Sequence, residues 1–140
     1  MPETAVLFER LAVALALGLL IGVERGWKTR DFKAGQRVAG VRTFAVIGLL
    51  GGLSAVLTLQ TSPVTLAAAM VGMGALLGLN HWYTLSRGED IGSTTIVAAL
   101  ATFALGALAG FGELAVAAAA AVVLTGVLGV KQQLHGLLRR

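Results

Sequence analysis

One apolar run, LAVALALGLLIGV at residues 11–23, sets the architecture of the chain because none of its side chains is charged. A helix needs about 20 predominantly apolar residues to cross the hydrocarbon core of a bilayer. Together with the residues just before it, the run reaches that length and predicts a transmembrane helix over residues 4–23. Glu24 and Arg25 end this span, and a basic segment follows them.

Four further apolar stretches follow, each close in length to a membrane span, at residues 41–59, 64–80, 91–110 and 114–130. The third has a clear start, since Ser62 suits a helix cap and Pro63 the first helical position. The last is rich in alanine, which gains little from lipid, so four spans are an alternative to five. The prediction is an all-α integral membrane protein, one domain over residues 1–140, built as a bundle of about five transmembrane helices.

The composition excludes several functional classes. Only 13% of the residues are charged and 56% are hydrophobic, whereas a soluble domain is about 25% charged. The absence of cysteine removes disulfides and thiolate metal sites. The net charge of +4 comes from residues between apolar spans, so it indicates membrane topology rather than nucleic-acid binding. No catalytic motif is present, and we expect neither an enzyme nor a bound cofactor.

The basic residues predict how the chain lies in the membrane. In a five-span arrangement ten of them share one side, and Arg10 alone falls on the other. The ten are Arg25, Lys28, Arg30, Lys33, Arg37, Arg42, Arg87, Lys131, Arg139 and Arg140. The positive-inside rule therefore places the N-terminus outside and the C-terminus in the cytoplasm of a multi-pass plasma-membrane protein.

Polar residues gather where three spans meet the predicted cytoplasmic side. They are the candidates for a substrate or ion pathway: Glu24, Arg25, Arg42, Thr43, Asp90, Ser93, Thr94 and Thr95. One interpretation is structural, with Glu24 and Arg42 forming an interfacial salt bridge and Asp90 and Ser93 capping the fourth helix. The other is a polar cytoplasmic cavity. Glu24 and Asp90 would then be the carboxylate ligands for Mg²⁺, while an anion would favour the arginines and the helix N-terminus.

Glycines recur at four-residue spacing, which places them on one helix face and lets helix backbones approach closely. The set is Gly18, Gly22, Gly48, Gly52, Gly74, Gly78, Gly106 and Gly110. These faces predict packing within the chain, or in part a contact between chains. Because so small a chain encloses little space by itself, we expect a homo-oligomer in the lipid bilayer, a dimer by preference.

Three motifs carry a family resemblance. The run LGLLIGVER at residues 17–25 resembles the first-helix signature of the MgtC/SapB family of bacterial inner-membrane proteins. GVRT at residues 40–43 contains Arg42-Thr43, which is similar to the arginine-threonine pair that enters the family's second helix. IGSTT at residues 91–95 is similar to the opening of its fourth helix.

The resemblance implies the family's N-terminal transmembrane domain, located in the inner membrane and involved in magnesium or ion homeostasis. One form of that role is a transporter-like homo-oligomer, with Mg²⁺ as ligand or substrate. The alternative is a non-transporting regulator that binds other membrane proteins through its glycine-rich helix faces. The long segment at residues 28–40 makes the chain resemble the N-terminal half of longer two-domain relatives. A second membrane domain is therefore an alternative partner to a second copy.

Overall fold

The protein is described by a computed structural model over residues 2–28, 40–86 and 93–138. Those ranges contain five α-helices and no strand. The helices are α1 (Thr4–Lys28), α2 (Val41–Gln60), α3 (Pro63–Ser86), α4 (Ser93–Gly110) and α5 (Leu114–Leu138). The predicted all-α membrane fold is confirmed, and its orientation across the membrane stays a prediction.

Three of the helices in the described ranges are long and apolar enough to cross a membrane, over Thr4–Gly26, Val41–Gln60 and Pro63–Tyr83. The remaining two have shorter apolar stretches, Thr95–Gly110 in α4 and Leu114–Val130 in α5. A crossing by α4 and by α5 is therefore a prediction from the sequence.

Several helices are longer than the apolar spans from which the sequence predicts them. Helix α1 continues from the predicted end at residue 23 to Lys28, and α5 continues from residue 130 to Leu138. Apolar length measures the part of a helix that suits hydrocarbon, whereas backbone hydrogen bonding continues into the polar interface. α3 begins at Pro63, the residue that the sequence marks as its first position.

Helices α1, α2 and α4 form the centre of the bundle. α3 packs outside against α2 and α4, and α5 packs outside against α1 and α4. The central core contains the fully buried side chains of Ile21, Phe44 and Phe103. α5 presents Ala117 and Ala121 to it, and their small size lets the helix lie close.

Contacts between glycines define the helix directions. Gly18 lies beside Phe44, and Gly48 lies beside Ala14, so α1 and α2 are antiparallel. Gly48 also faces Gly106, and Gly52 faces Gly110, so α2 and α4 are parallel. The end of α1 and the starts of α2 and α4 therefore meet at one end of the bundle, here called the polar end because Glu24 and Arg25 lie there.

The opposite end is held by a turn between α4 and α5. Gly112 has φ 98°, a conformation that favours glycine. The amide of Glu113 donates to the Leu108 carbonyl and that of Gly112 to the Ala109 carbonyl, both at 3.0 Å, which is a Schellman turn. Arg10 of α1 donates a hydrogen bond of 3.3 Å to the Gly110 carbonyl. A cation therefore lies at the negative end of the α4 dipole.

Candidate functional site

The polar end contains an ion pair within the last turns of α1. Residues Leu17, Ile21 and Arg25 follow one another at four-residue spacing and are all buried, so the arginine lies on the packed face of the helix. Its Nε lies 3.2 Å from Oε2 of Glu24, and the two side chains are 4% and 12% exposed. Burying an ion pair costs the hydration free energy of both side chains. Removing one partner is more destabilising still, because it leaves the other as an uncompensated buried charge.

The second carboxylate oxygen of Glu24, Oε1, makes no such contact in the described ranges. Oε1 is buried and accepts no hydrogen bond from any residue in the described ranges. A buried acceptor without a donor costs about 1–3 kcal/mol, and more when it is charged. The atom is therefore available to a proton donor, a water molecule or a cation.

Thr95 of α4 lies at the same level as this pair. Its side chain is buried. Gly18 of α1 lies beside Phe44 of α2, and Gly48 of α2 lies beside Gly106 of α4. Counting along the helices from these contacts toward the polar end brings Arg25 of α1 and Thr95 of α4 to the same height. Ser93 and Thr94 lie in the first turn of the same helix, where unpaired amides give a positive end to the dipole. A carboxylate, a guanidinium, a hydroxyl and a helix N-terminus thus share one end of the bundle.

The expected salt bridge between Glu24 and Arg42 is wrong. Glu24 pairs with Arg25 of its own helix, and Arg42 is exposed. Val41 occupies the contact with α1, since it lies against Gly22 and Gly26. The next residue along a helix points about 100° away, so Arg42 and Thr43 turn toward α3 and line a groove there instead.

The predicted Mg²⁺ ligands are not assembled in the part of the chain that the structure describes. Asp90 lies outside the described residues. Within them, no three side chains of the His, Cys, Asp and Glu types gather as a metal site. Glu24 is thus the one predicted ligand whose surroundings are described.

The predicted packing glycines divide into two groups. Six lie at close helix contacts, where an added Cβ would come within 3.0 Å of a neighbouring helix: Gly18, Gly22, Gly48, Gly52, Gly106 and Gly110. At Gly74 and Gly78 of α3 an added Cβ would meet no atom of another described helix within 4 Å, so these two glycines make no close helix contact in the described ranges.

Two residues important to the bundle were missed from the sequence. Gly51 lies directly against the Phe103 carbonyl, but it falls one position off the four-residue spacing. The sequence predicts Arg10 only as the lone cation of the outer side, whereas in the structure it donates a hydrogen bond to the Gly110 carbonyl at the end of α4. The glycine-rich turn at residues 110–112 was the available signal, because helix C-termini attract cations.

The groove between α2 and α3 has a volume of about 410 Å³. The polar part of its lining consists of Arg42, Thr43 and Asn80. The rest of its lining is apolar and consists of Val46, Ile47, Leu50, Met73, Leu76 and Leu77. The groove is a separate feature from the buried pair of α1.

Comparison with known proteins identifies a family. A family model described as "MgtC family" matches residues 11–137, which is nearly the whole chain. Neither the curated proteins nor the solved structures gave a match.

Proposed function

Since the chain belongs to the MgtC family, we propose that it acts in magnesium or ion homeostasis in a bacterial inner membrane, as a multi-pass homo-oligomer with a polar, cytoplasm-facing entrance. The role is that of a transporter-like protein with Mg²⁺ as substrate, and it involves no enzymatic step. The entrance is the polar end, where Glu24, Arg25 and Thr95 lie.

The buried Oε1 of Glu24 carries this proposal. An ionisable group at the end of a membrane helix is costly, so it is retained where it pairs or where it binds something. Arg25 satisfies Oε2, and Oε1 is left with an unused acceptor in the described structure. Mg²⁺ keeps several of its waters and is usually held by only one or two protein carboxylates, so the available oxygen of Glu24 is a chemically suitable contact for a hydrated ion.

The test is ion flux into liposomes that contain the purified full chain, measured for Mg²⁺ and for a monovalent cation. Glu24→Gln keeps the shape of the side chain and removes its charge. Glu9→Gln is the matched control, since Glu9 lies on the same helix and is exposed at the other end. We expect Mg²⁺ flux in the wild type and in the control, and flux at the level of empty liposomes for Glu24→Gln.

The outcome is decisive only for folded protein, so thermal unfolding of each variant accompanies the flux measurement. Equal flux in Glu24→Gln and wild type would remove the buried carboxylate from the pathway. No flux from folded wild-type protein would contradict transport and leave the regulatory role.

A second candidate function has an observation of its own. Gly74 and Gly78 lie on one face of α3, and no described atom lies within 4 Å of where their Cβ atoms would be. Small residues on an open membrane-helix face are typical of helix–helix contacts. A regulator that docks on another membrane protein would use this face, as would a second copy of the chain.

Gly78→Leu tests this role, with Gly72→Leu as the matched control at an exposed glycine on another face of the same helix. Crosslinking in native membranes should then give a specific partner band that Gly78→Leu removes and Gly72→Leu keeps. A band at twice the chain mass identifies a homodimer, and a band at another mass identifies a regulatory target. The same bands in both variants would exclude this face.

A further inference from the structure

We propose that the groove between α2 and α3 is a binding site for one anionic phospholipid, with its phosphate at Arg42 and an acyl chain along the apolar lining. This site is distinct from the buried pair of α1 and does not depend on the proposed ion role.

The polar end of the groove has the chemistry of a phosphate site. Arg42 lies in the first turn of α2 and is exposed, and it makes no ion pair with any residue in the described ranges. Thr43 adds a hydroxyl, and Asn80 near the end of α3 adds an amide. A guanidinium binds phosphate oxygens through two parallel hydrogen bonds, which an ammonium group does not reproduce.

The apolar part lies where the hydrocarbon of a membrane would be. Val46 and Leu50 follow Arg42 along α2 at four-residue spacing, so they lie on the same helix face, deeper toward the middle of the bundle. Leu76 and Met73 line the facing side, one turn and two turns from Asn80. A groove with a charge at one end and apolar side chains along the rest fits a phospholipid. It fits a free phosphate less well, because a free phosphate has no hydrocarbon to cover the apolar lining.

The dimensions fit one lipid chain. From Arg42 to Leu50 the groove runs about 12 Å along α2 at 1.5 Å per residue, which is most of one leaflet of a hydrocarbon core about 30 Å thick. Its volume of about 410 Å³ lies within the range of roughly 300–1,000 Å³ typical of small-molecule sites.

The experiment is native mass spectrometry of the full chain, purified in detergent and titrated with phosphatidylglycerol or phosphatidylcholine. We expect one phosphatidylglycerol to be retained per chain, and phosphatidylcholine to be retained more weakly. Arg42→Gln should weaken phosphatidylglycerol retention by about tenfold, the effect of losing one charge-assisted contact, and Arg42→Lys should restore it in part. Arg10→Gln is the charge-matched control at the opposite end of the bundle and should leave retention unchanged.

A second pair of variants tests the apolar part without changing charge. Leu76→Trp fills the groove, while Leu79→Trp places the same bulk outside its lining, and the two leucines are 64% and 69% exposed. We expect Leu76→Trp to weaken phosphatidylglycerol retention and Leu79→Trp to leave it unchanged. Glycerol phosphate, which has the headgroup chemistry and no acyl chain, should not displace the bound lipid.

Several results would overturn the proposal. Equal retention of the two lipids would show that the headgroup is not recognised. Equal effects of Arg42→Gln and Arg10→Gln would show a general attraction of the basic chain for acidic lipid. Displacement by glycerol phosphate would identify an anion site. A dimer mass that Leu76→Trp converts to monomer, with lipid retention unchanged, would make the groove an interface between copies.

Discussion

Among single residues, the glycines of the central helices determine how close the backbones come. At Gly106 an added Cβ would meet the carbonyl of Gly48, and at Gly48 it would come 2.6 Å from the carbonyl of Ala14. No side chain fits at either contact without moving a helix. The opposite case is Gly74 of α3, where the same atom would meet nothing within 4 Å among the described residues.

Gly106→Ala should therefore destabilise the protein, and Gly74→Ala should not. The first forces α2 and α4 apart and should cost about 1–3 kcal/mol, as overpacking does. The second should be neutral or gain up to about 1 kcal/mol, because alanine is the better helix former. Thermal unfolding in detergent measures both, and equal melting temperatures would contradict the close α2–α4 contact.

Arg10 gives a second prediction at this scale. Its hydrogen bond to the Gly110 carbonyl ties the beginning of α1 to the end of α4. Arg10→Gln removes the charge from the helix C-terminus and should lower the free energy of unfolding by about 1–2 kcal/mol. Chemical denaturation should show this loss, with Glu9→Gln unchanged as the neighbouring control. A loss of the same size in both variants would assign the effect to α1 as a whole.

At the scale of helices, α2 is the element on which the bundle is built. It contacts α1 on one face and α4 on another, and its buried residues are Phe44, Ala45, Ile47, Gly48, Gly51, Gly52, Ser54 and Ala55. α3 differs, since most of its surface is open and Leu77 is its one buried hydrophobic side chain in the described ranges. Packing stability therefore resides in the three central helices.

Phe44→Ala tests this division. The ring of Phe44 is fully buried, and its Cβ lies against Gly22 of α1. Removing it leaves a cavity and should cost roughly 3–5 kcal/mol. Phe8→Ala makes the same change at a side chain that is 68% exposed, and it should cost far less. Unfolding of the two variants in one detergent is the measurement, and similar losses would contradict a core centred on α2.

The sequence is sufficient to predict where the helices lie along the chain, but not which faces of the helices pack against each other. Apolar length locates each helix, because a membrane requires it. Four-residue glycine spacing identifies a face but not the helix that it meets, so it gave Gly48 and Gly74 the same role. The pairing of Glu24 with Arg42 failed for a similar reason. The rotation of α2 is set by the fit of Val41 against Gly22 and Gly26, and local sequence does not encode that fit.

For the whole molecule, the testable property is its orientation. The chain contains no cysteine, so single cysteines can be introduced without a background. The sequence predicts that Thr61→Cys and Glu113→Cys react with a membrane-impermeant maleimide from outside the cell. It predicts that Arg37→Cys and Gln133→Cys react only after the membrane is opened.

The same labelling counts the spans. Five crossings place Thr61 and Glu113 on one side and Gln133 on the other. If Gln133→Cys and Glu113→Cys react together from outside, α5 does not cross and the four-span alternative holds. If Thr61→Cys reacts only from inside, the positive-inside assignment is reversed.

The tie between Arg10 and Gly110 has a mechanical consequence. It joins α1 and α4 at one end of the bundle, while Arg25 and Thr95 lie level at the other. When one helix rotates about a fixed contact, each of its residues moves in proportion to its distance from that contact. Arg25 lies about 22 Å along α1 from the fastened residue, so a tilt of about 5° moves it by about 2 Å. A small rotation of α1 about this tie would therefore change the distance between Glu24 and α4 more than any distance near Gly110.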